Sequence, residues 1–261
     1  MIYDRHDEIL SLLKKNGSVK VSELTGAFHV SIETIRRDLQ FLENEGLLKR
    51  VYGGAVSKTR RSIEPLFADR QSKNSDEKHA IGALAATLVE NGDVVGIDTG
   101  TTTMELALSL RDRDLSFIAI TNSIPIAAAL SESEKCEVIL IGGKVRRGEL
   151  SVGGDVLAGS NMRLFQTDKL FLGVGGITER FGVTDYRTEE TVFRRVGVRR
   201  AREVYALADH SKFGVTAMNH VCDLQDLTAV ITDARTEKSA VKALQEKNVR
   251  VMIAEDGSRA V

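Results

Sequence analysis

Apolar positions recur at helical spacing three times in the first sixty residues. Ile9, Leu12 and Leu13 mark one helix, Val21, Leu24 and Phe28 a second, and Ile35, Leu39 and Leu42 a third. Asn16-Gly17 reads as the end of the first, and His29-Val30 as a tight connection between the second and third. Ser31 stands where its hydroxyl would accept from the exposed amides of the third helix. Gly46 stops that helix. Leu48 to Val51, a Gly53-Gly54 turn and Ala55-Val56 then read as a short two-stranded hairpin. Three short helices and a hairpin predict a small winged helix-turn-helix domain over residues 1–57.

Beyond it the pattern changes. Residues 58–74 are polar, hold Pro65, and read as a linker ending in a short helical turn. A longer helix is expected from Asn74 or Ser75, with Asn74 and Glu77 spaced as a capping box and Ile81, Leu84, Ala85 and Leu88 as its buried stripe. Short continuous apolar runs follow at 94–98, 117–121, 137–141, 169–174, 203–208, 228–232 and 249–253. Helical patterns at 102–110, 123–131, 188–200 and 237–247 separate most of them. Such alternation predicts a mainly parallel, Rossmann-like α/β domain over 75–261, its strands buried on both faces. The fold class is α/β, with the small winged domain in front.

Composition narrows the function. The 261 residues carry 36 basic and 37 acidic side chains, a formal charge of −1, with 42% hydrophobic and 28% charged residues. This supports a real core and excludes a disordered or collagenous chain. The first sixty residues hold 10 basic and 8 acidic side chains. So small an excess argues against bulk electrostatic capture of nucleic acid and leaves room for a small DNA-reading module. Cys136 and Cys222 stand in no paired motif, and the five histidines show no metal-ligand spacing; no disulfide, metal or cofactor is expected. The start lacks an apolar signal core, and the longest uncharged run, 115–131, is interrupted by Thr121, Asn122, Ser123 and Pro125. A cytoplasmic chain without membrane contact is the expectation.

With Ile35, Leu39 and Leu42 inward, the third helix turns Glu33, Thr34, Arg37 and, nearer the rim, Arg36 outward. With Ser31 at its start, these residue types suit base edges and phosphates in the major groove of double-stranded DNA. Lys49, Arg50 and Tyr52 lie on the hairpin, where phosphates or the minor groove would run. The competing reading is a helical protein-interaction module with a solvated arginine pair.

In open parallel sheets ligands bind beyond the carboxyl ends of the strands. Those ends here carry Asp98, Gly100 and Thr101 to Thr103 after the first run, then Thr121, Asn122 and Ser123 after the second. Gly142, Gly143 and Arg146 follow the third, Gly173, Gly175 and Gly176 the fourth, and Asp209 with Ser211 and Lys212 the fifth. Each alone is as readily an ordinary turn. Together they favour a small, anionic, polyhydroxylated ligand. The arginine pairs at 146–147, 194–195 and 199–200 read as solvated faces, Arg146 excepted.

The segment VSIETIRRDLQFLENEGLLKRVYGGA, residues 30–55, closely resembles the N-terminal module of DeoR-type bacterial transcription regulators. The likeness continues through DTGTTT (98–103), TNS (121–123), GGKVR (142–146) and DHSKFG (209–214), which are similar to the family's effector domain. That domain is similar in fold to ribose-5-phosphate isomerase, and such regulators typically respond to phosphorylated sugars. The resemblance implies operator DNA and a sugar phosphate as partners, in a homo-oligomer, dimer or tetramer. It places Glu190 at the isomerase's carboxylate base and Lys212 at a lysine found in both groups. Where the isomerase has a pair of aspartates this chain reads LGVGGIT (172–178), and the isomerase's downstream lysine is missing from RFGVT (180–184). The implied function is therefore a repressor of a carbohydrate-utilisation operon, not an enzyme. The rivals are a DNA-tethered isomerase and a DNA-binding protein without a ligand.

Overall fold

Ile9, Leu13, Leu24, Ile35, Leu39 and Leu42, from all three apolar stripes, meet in one core with Val19, Leu48 and Ala55. They are carried by α1 (Ile2–Asn16), α2 (Val21–Phe28) and α3 (Ile32–Asn44) of a computed structural model. It describes residues 2–16, 18–45, 47–51, 53–57, 64–65, 67–154 and 161–255. Two compact units divide the chain, residues 1–60 and 61–261.

In the first unit His29 takes a left-handed backbone, φ 53°, which lets the chain turn sharply into α3. Ser31 Oγ accepts from the amide of Thr34 at 3.1 Å, the expected cap. The hairpin is β2 (Leu48–Val51) against β3 (Gly54–Ser57). A third strand, β1 (Ser18–Lys20), pairs with the other edge of β3. The two-stranded expectation is corrected here: β1 has three residues and buries only Val19, too little alternation to register in the sequence. Gly54 is required at this junction, because a Cβ there would collide with the carbonyl oxygen of Val19.

In the second unit all seven apolar runs are strands of one parallel sheet. They are β4 (Val94–Ile97), β5 (Phe117–Thr121), β6 (Cys136–Leu140), β9 (Thr167–Gly173), β12 (Ala201–Leu207), β14 (Ala229–Asp233) and β15 (Arg250–Ala254). Their order is β15-β14-β12-β9-β4-β5-β6. Neighbouring residues of one strand feed different cores. Phe171, Tyr205 and Ile231 join one cluster, while Leu170, Leu172, Val204 and Val230 join another. Each fully buried side chain of this size contributes about 1.5–3 kcal/mol. This is why the strands are continuously apolar. Helices α5 (Ser75–Ala86), α6 (Thr101–Arg111) and α7 (Ile124–Leu130) supply the first cluster, through Ile81, Leu106 and Ile126. Helices α8 (Thr188–Arg200) and α9 (Lys238–Gln245) supply Val198 and Leu244 to the second.

Short antiparallel pieces stand outside this sheet. Strands β7 (Lys144–Val145) and β8 (Val152–Gly153) pair with each other, and β10 (Gly176–Thr178), β11 (Gly182–Asp185) and β13 (Asn219–Cys222) form a third sheet. The short helical turn expected before residue 75 is α4 (Phe67–Ser72), whose Arg70 pairs with Glu149. One further reading needs correction. Asn74 has a left-handed backbone, φ 54°, and does not cap α5; its amide donates to Asp209 Oδ1 at 2.8 Å. No helix among the described residues is long and apolar enough to cross a membrane.

Candidate functional site

The third helix of the first unit is fixed from behind by a charge. Asp38, nearly buried, accepts from Arg5 Nε at 2.6 Å and Nη2 at 3.0 Å, and faces His6 Nε2 at 3.0 Å. Burial pushes the Asp38 carboxyl up, but hydrogen bonds from Arg5 and His6 outweigh it and hold the pKa below the usual range. The side chain of Asp38 lies on the buried face of α3 beside Ile35, Leu39 and Leu42. This clamp escaped the sequence reading, because an aspartate after two arginines reads as one more solvated charge.

The opposite face is open. Glu33, Arg36 and Arg37 are exposed, Thr34 is partly so, and Lys49 and Arg50 are exposed on β2. Among the described residues Arg37 pairs with Glu33, one turn away at 3.8 Å, and keeps 81% of its side-chain surface. Arg50 is more constrained, its amide donating to Glu43 at 2.8 Å and its guanidinium to Gln40. Arg50 thus ties the wing to α3, and Ser31 is held in its cap. Tyr52 lies outside the described residues.

In the second unit the order of strands reverses direction between β4 and β9, which is where a ligand crevice forms in an open α/β sheet. A narrow polar cleft lies there. The loop after β4 (Thr99, Gly100) and the first residues of α6 (Thr101, Thr102) form one wall, and Gly173 to Gly175 after β9 form another. Gly173 suits this close approach, since a Cβ would stand 3.0 Å from the Thr99 carbonyl oxygen and press it aside. The amides at the start of α6 lack intrahelical acceptors, an arrangement that suits an anion. Lys212 lines the cleft beside them, its pKa lowered by burial against the pull of Asp209.

Of the candidates named from sequence, Gly100, Thr101, Thr102, Gly175, Glu190 and Lys212 line the cleft. The others stand behind it. Thr103 donates to the Gly100 carbonyl at 3.1 Å, Asn122 accepts from the Thr99 amide at 3.0 Å, and Thr121 accepts from the Ser123 amide at 3.1 Å. Asp209 accepts from Ser211 and Asn74, and Asp98 is fully buried against Arg194. Gly143 is not among the lining residues. Arg146, expected to await an anion, already holds Glu190 at 2.8 Å and Glu64 at 2.7 Å.

The cleft contains residues the sequence did not reveal. Arg194, read as solvated, is 4% exposed and is enclosed by Asp98 at 2.6 Å, Asp185 at 3.1 Å and Glu190 at 3.6 Å. Its neighbour Arg195 is exposed, and its guanidinium donates to the His220 carbonyl at 2.8 Å. Glu64, Arg70, Glu149, Asp185 and Tyr186 complete the lining. Burial raises Asp98 to about 7, with Arg194 opposing. Burial also acts to raise Glu190, but Arg194, Ser151 and Arg146 keep it low and ionised. Glu149 is raised by burial beyond what Arg70 offsets. Among the described residues no cluster of three metal-ligating side chains occurs.

Comparisons with known proteins agree with both units. A family model described as the DeoR-like helix-turn-helix domain matches residues 5–61, and one described as the DeoR C terminal sensor domain matches 73–234. The chain is 33% identical to the putative aga operon transcriptional repressor of Escherichia coli O157:H7, over 96% of this chain and 93% of that protein. It is 31% identical to the glycerol-3-phosphate regulon repressor of Escherichia coli K12, over 95% and 97%. Among solved structures, ribose 5-phosphate isomerase A from Methanocaldococcus jannaschii aligns with 54% of this chain and 55% of its own, at 19% identity and a TM-score of 0.41.

Proposed function

Because the chain belongs to the DeoR family of transcription regulators, matched along both of its units, we propose that it represses an operon for carbohydrate use and releases its operator when a phosphorylated sugar fills the cleft. It is a DNA-binding regulator, as its relatives are, and not an enzyme. The observation that carries the effector reading is the cleft at the β4–β9 switch point, where the first turn of α6 and Lys212 face one space. A phosphate there gains amide hydrogen bonds, the positive end of the helix dipole and a charge-assisted contact. Sugar hydroxyls would meet Glu190, which is ionised and accepts only.

Release of DNA follows from differential affinity: the effector binds more tightly to the conformation that holds the operator less well. Two or more copies of the chain would read a symmetric or repeated site. The deciding experiment is fluorescence anisotropy of the full chain on the DNA upstream of its own gene, titrated with sugar phosphates and the matching free sugars. Release by a phosphorylated sugar, and not by its free form, is the expected result. An operator affinity that no phosphorylated compound changes would refute the effector reading. An isomerisation assay on the same panel is expected to show no turnover.

A further inference from the structure

Strand β6 ends one side of the seven-stranded sheet, paired with β5 on its inner edge and, among the described residues, with no strand on its outer one. The bonds to β5 fix which backbone groups face out. The Phe117 amide donates to the Lys135 carbonyl at 3.3 Å, and the Ile141 amide to the Thr121 carbonyl at 2.8 Å. Residues 135, 137, 139 and 141 therefore point their backbone groups inward, and by the alternation of a strand Cys136, Val138 and Leu140 point theirs outward. The Cys136 amide is taken by the Ser133 carbonyl at 3.3 Å, whereas Val138 and Leu140 meet no backbone partner among the described residues. Soluble proteins blunt such an edge with lysine, proline or a bulge. Strand β6 has none of these: it reads CEVIL, and its pairing with β5 runs without a register shift. Val138 and Ile139 are half-buried and Leu140 is 43% exposed, so the edge is apolar as well as open.

We propose that β6 is an interface between two copies of this chain, which pair antiparallel about a dyad at Ile139. The inference needs the two copies invoked above and names the surface that joins them. One register uses both outward-facing residues of each copy, setting Val138 opposite Leu140 of the second copy and the reverse. Each such pair exchanges both of its N–H···O bonds. A shift one way sets Leu140 against Cys136, whose amide is already taken, and a shift the other way sets Val138 against Gly142. In the favoured register Val138 and Leu140 of both copies lie together on one face, and Ile139 meets Ile139 on the other. The same register carries the exposed Glu134, just before β6, towards the exposed Lys144, just after it, once on each side of the dyad. This complementarity of charge selects a second copy as the occupant, because a self-complementary patch closes on itself under two-fold symmetry.

Sedimentation of the full chain should show the wild type as a dimer or a multiple of one, and Leu140→Pro as half that assembly. Proline is tolerated there in a lone chain, since an outward amide on an edge strand has no ladder bond to lose, and circular dichroism checks that the fold is kept. A monomeric wild type overturns the surface and the two-copy reading together. An assembly untouched by Leu140→Pro leaves two copies standing and overturns the surface alone. Trapping gives an independent measurement. Ile139→Cys, in a chain that also carries Cys136→Ser, should close an intermolecular disulfide on mild oxidation, because a non-hydrogen-bonded antiparallel pair sets its Cα atoms about 4.5 Å apart. Glu137→Cys in the same background would face Ile141 and should not. No disulfide at Ile139→Cys, or equal yields at both positions, overturns the register. Glu134→Lys should weaken association several-fold, and adding Lys144→Glu should restore it; failure of that rescue overturns the pairing of charges that selects a second copy.

Discussion

Nε of Arg194 donates to Oδ2 of Asp98 at 2.6 Å, and the two side chains keep 4% and 0% of their surface. A buried pair of this kind contributes little net stability while intact and costs much when halved. Arg194→Ala should therefore destabilise the second unit by about 3–5 kcal/mol in urea unfolding. The pH dependence has a definite sign. The folded-state pKa of Asp98 lies near 7, above the unfolded value of about 3.9, so the folded state binds the extra proton. Asp98 thus opposes folding increasingly as pH rises from about 4 towards 7. In Arg194→Ala the folded pKa rises further and that slope should extend to higher pH, and a variant as stable at pH 8 as at pH 5 would contradict it.

Asp38 gives the opposite sign. Its folded pKa is held low by Arg5 and His6, so its stabilisation is present above the unfolded pKa and lost as pH falls through the folded one. Asp38→Asn should remove this acid limb and cost the first unit about 3 kcal/mol. Operator affinity should fall with it, because the clamp sets the position of α3 against α1. Thermal unfolding followed from pH 3 to 7 on both proteins checks the limb directly.

How much of this was legible in the sequence depended on what each residue buries. The central strands stood out because both their faces are covered, leaving runs such as Leu170–Leu172 without a polar break. Helix α3 announced itself through Ser31 and the Ile35–Leu39–Leu42 stripe. The cleft was legible only where it borders strand ends, as at Gly100, Thr102 and Lys212. Arg70, Glu64, Glu149 and Arg194 were not, since a charged side chain in a polar stretch looks the same whether it meets water or a partner far away in the sequence. Arg194 and Asp98 are 96 positions apart, and Arg70 and Glu149 are 79. Ion pairs at that separation leave no local period to read. The same blindness explains why Arg146 looked available when Glu64 and Glu190 already hold it.

The exposed arginine of α3 and the two basic residues of the wing should separate in their salt dependence. Arg37→Ala is expected to lose about 1–3 kcal/mol of operator affinity and to relax selectivity at one position, if that side chain meets a base edge. Lys49→Ala and Arg50→Ala should weaken binding to all DNA alike and reduce the salt slope by about one unit per lost phosphate contact. Anisotropy titrations at several salt concentrations distinguish the two patterns. Unchanged affinity in all three, with helicity intact, would remove α3 and β2 from the DNA interface.

The geometry of the cleft turns a block of five residues into separable expectations. Lys212 and Thr102 line the space in front of α6, while the hydroxyl of Thr103 is spent on the Gly100 carbonyl and Asp98 lies behind Arg194. Lys212→Ala should weaken a phosphorylated sugar by about 1.5–3 kcal/mol, the scale of a hydrogen bond to a charged group, and leave the free sugar untouched. Thr102→Val should act in the same direction and more weakly, because it removes one hydroxyl and keeps the first-turn amides. Thr103→Val should change neither ligand. Glu190→Gln should blur discrimination between sugars, since the amide both donates and accepts where the carboxylate only accepts. All four should still bind operator DNA, because none lies in the first unit, and the first should behave as a repressor that cannot be induced. Calorimetry on the full chain, with each phosphate beside its free sugar, reads all of this. Loss of affinity in Thr103→Val equal to that in Lys212→Ala would place the phosphate somewhere other than the mouth of α6.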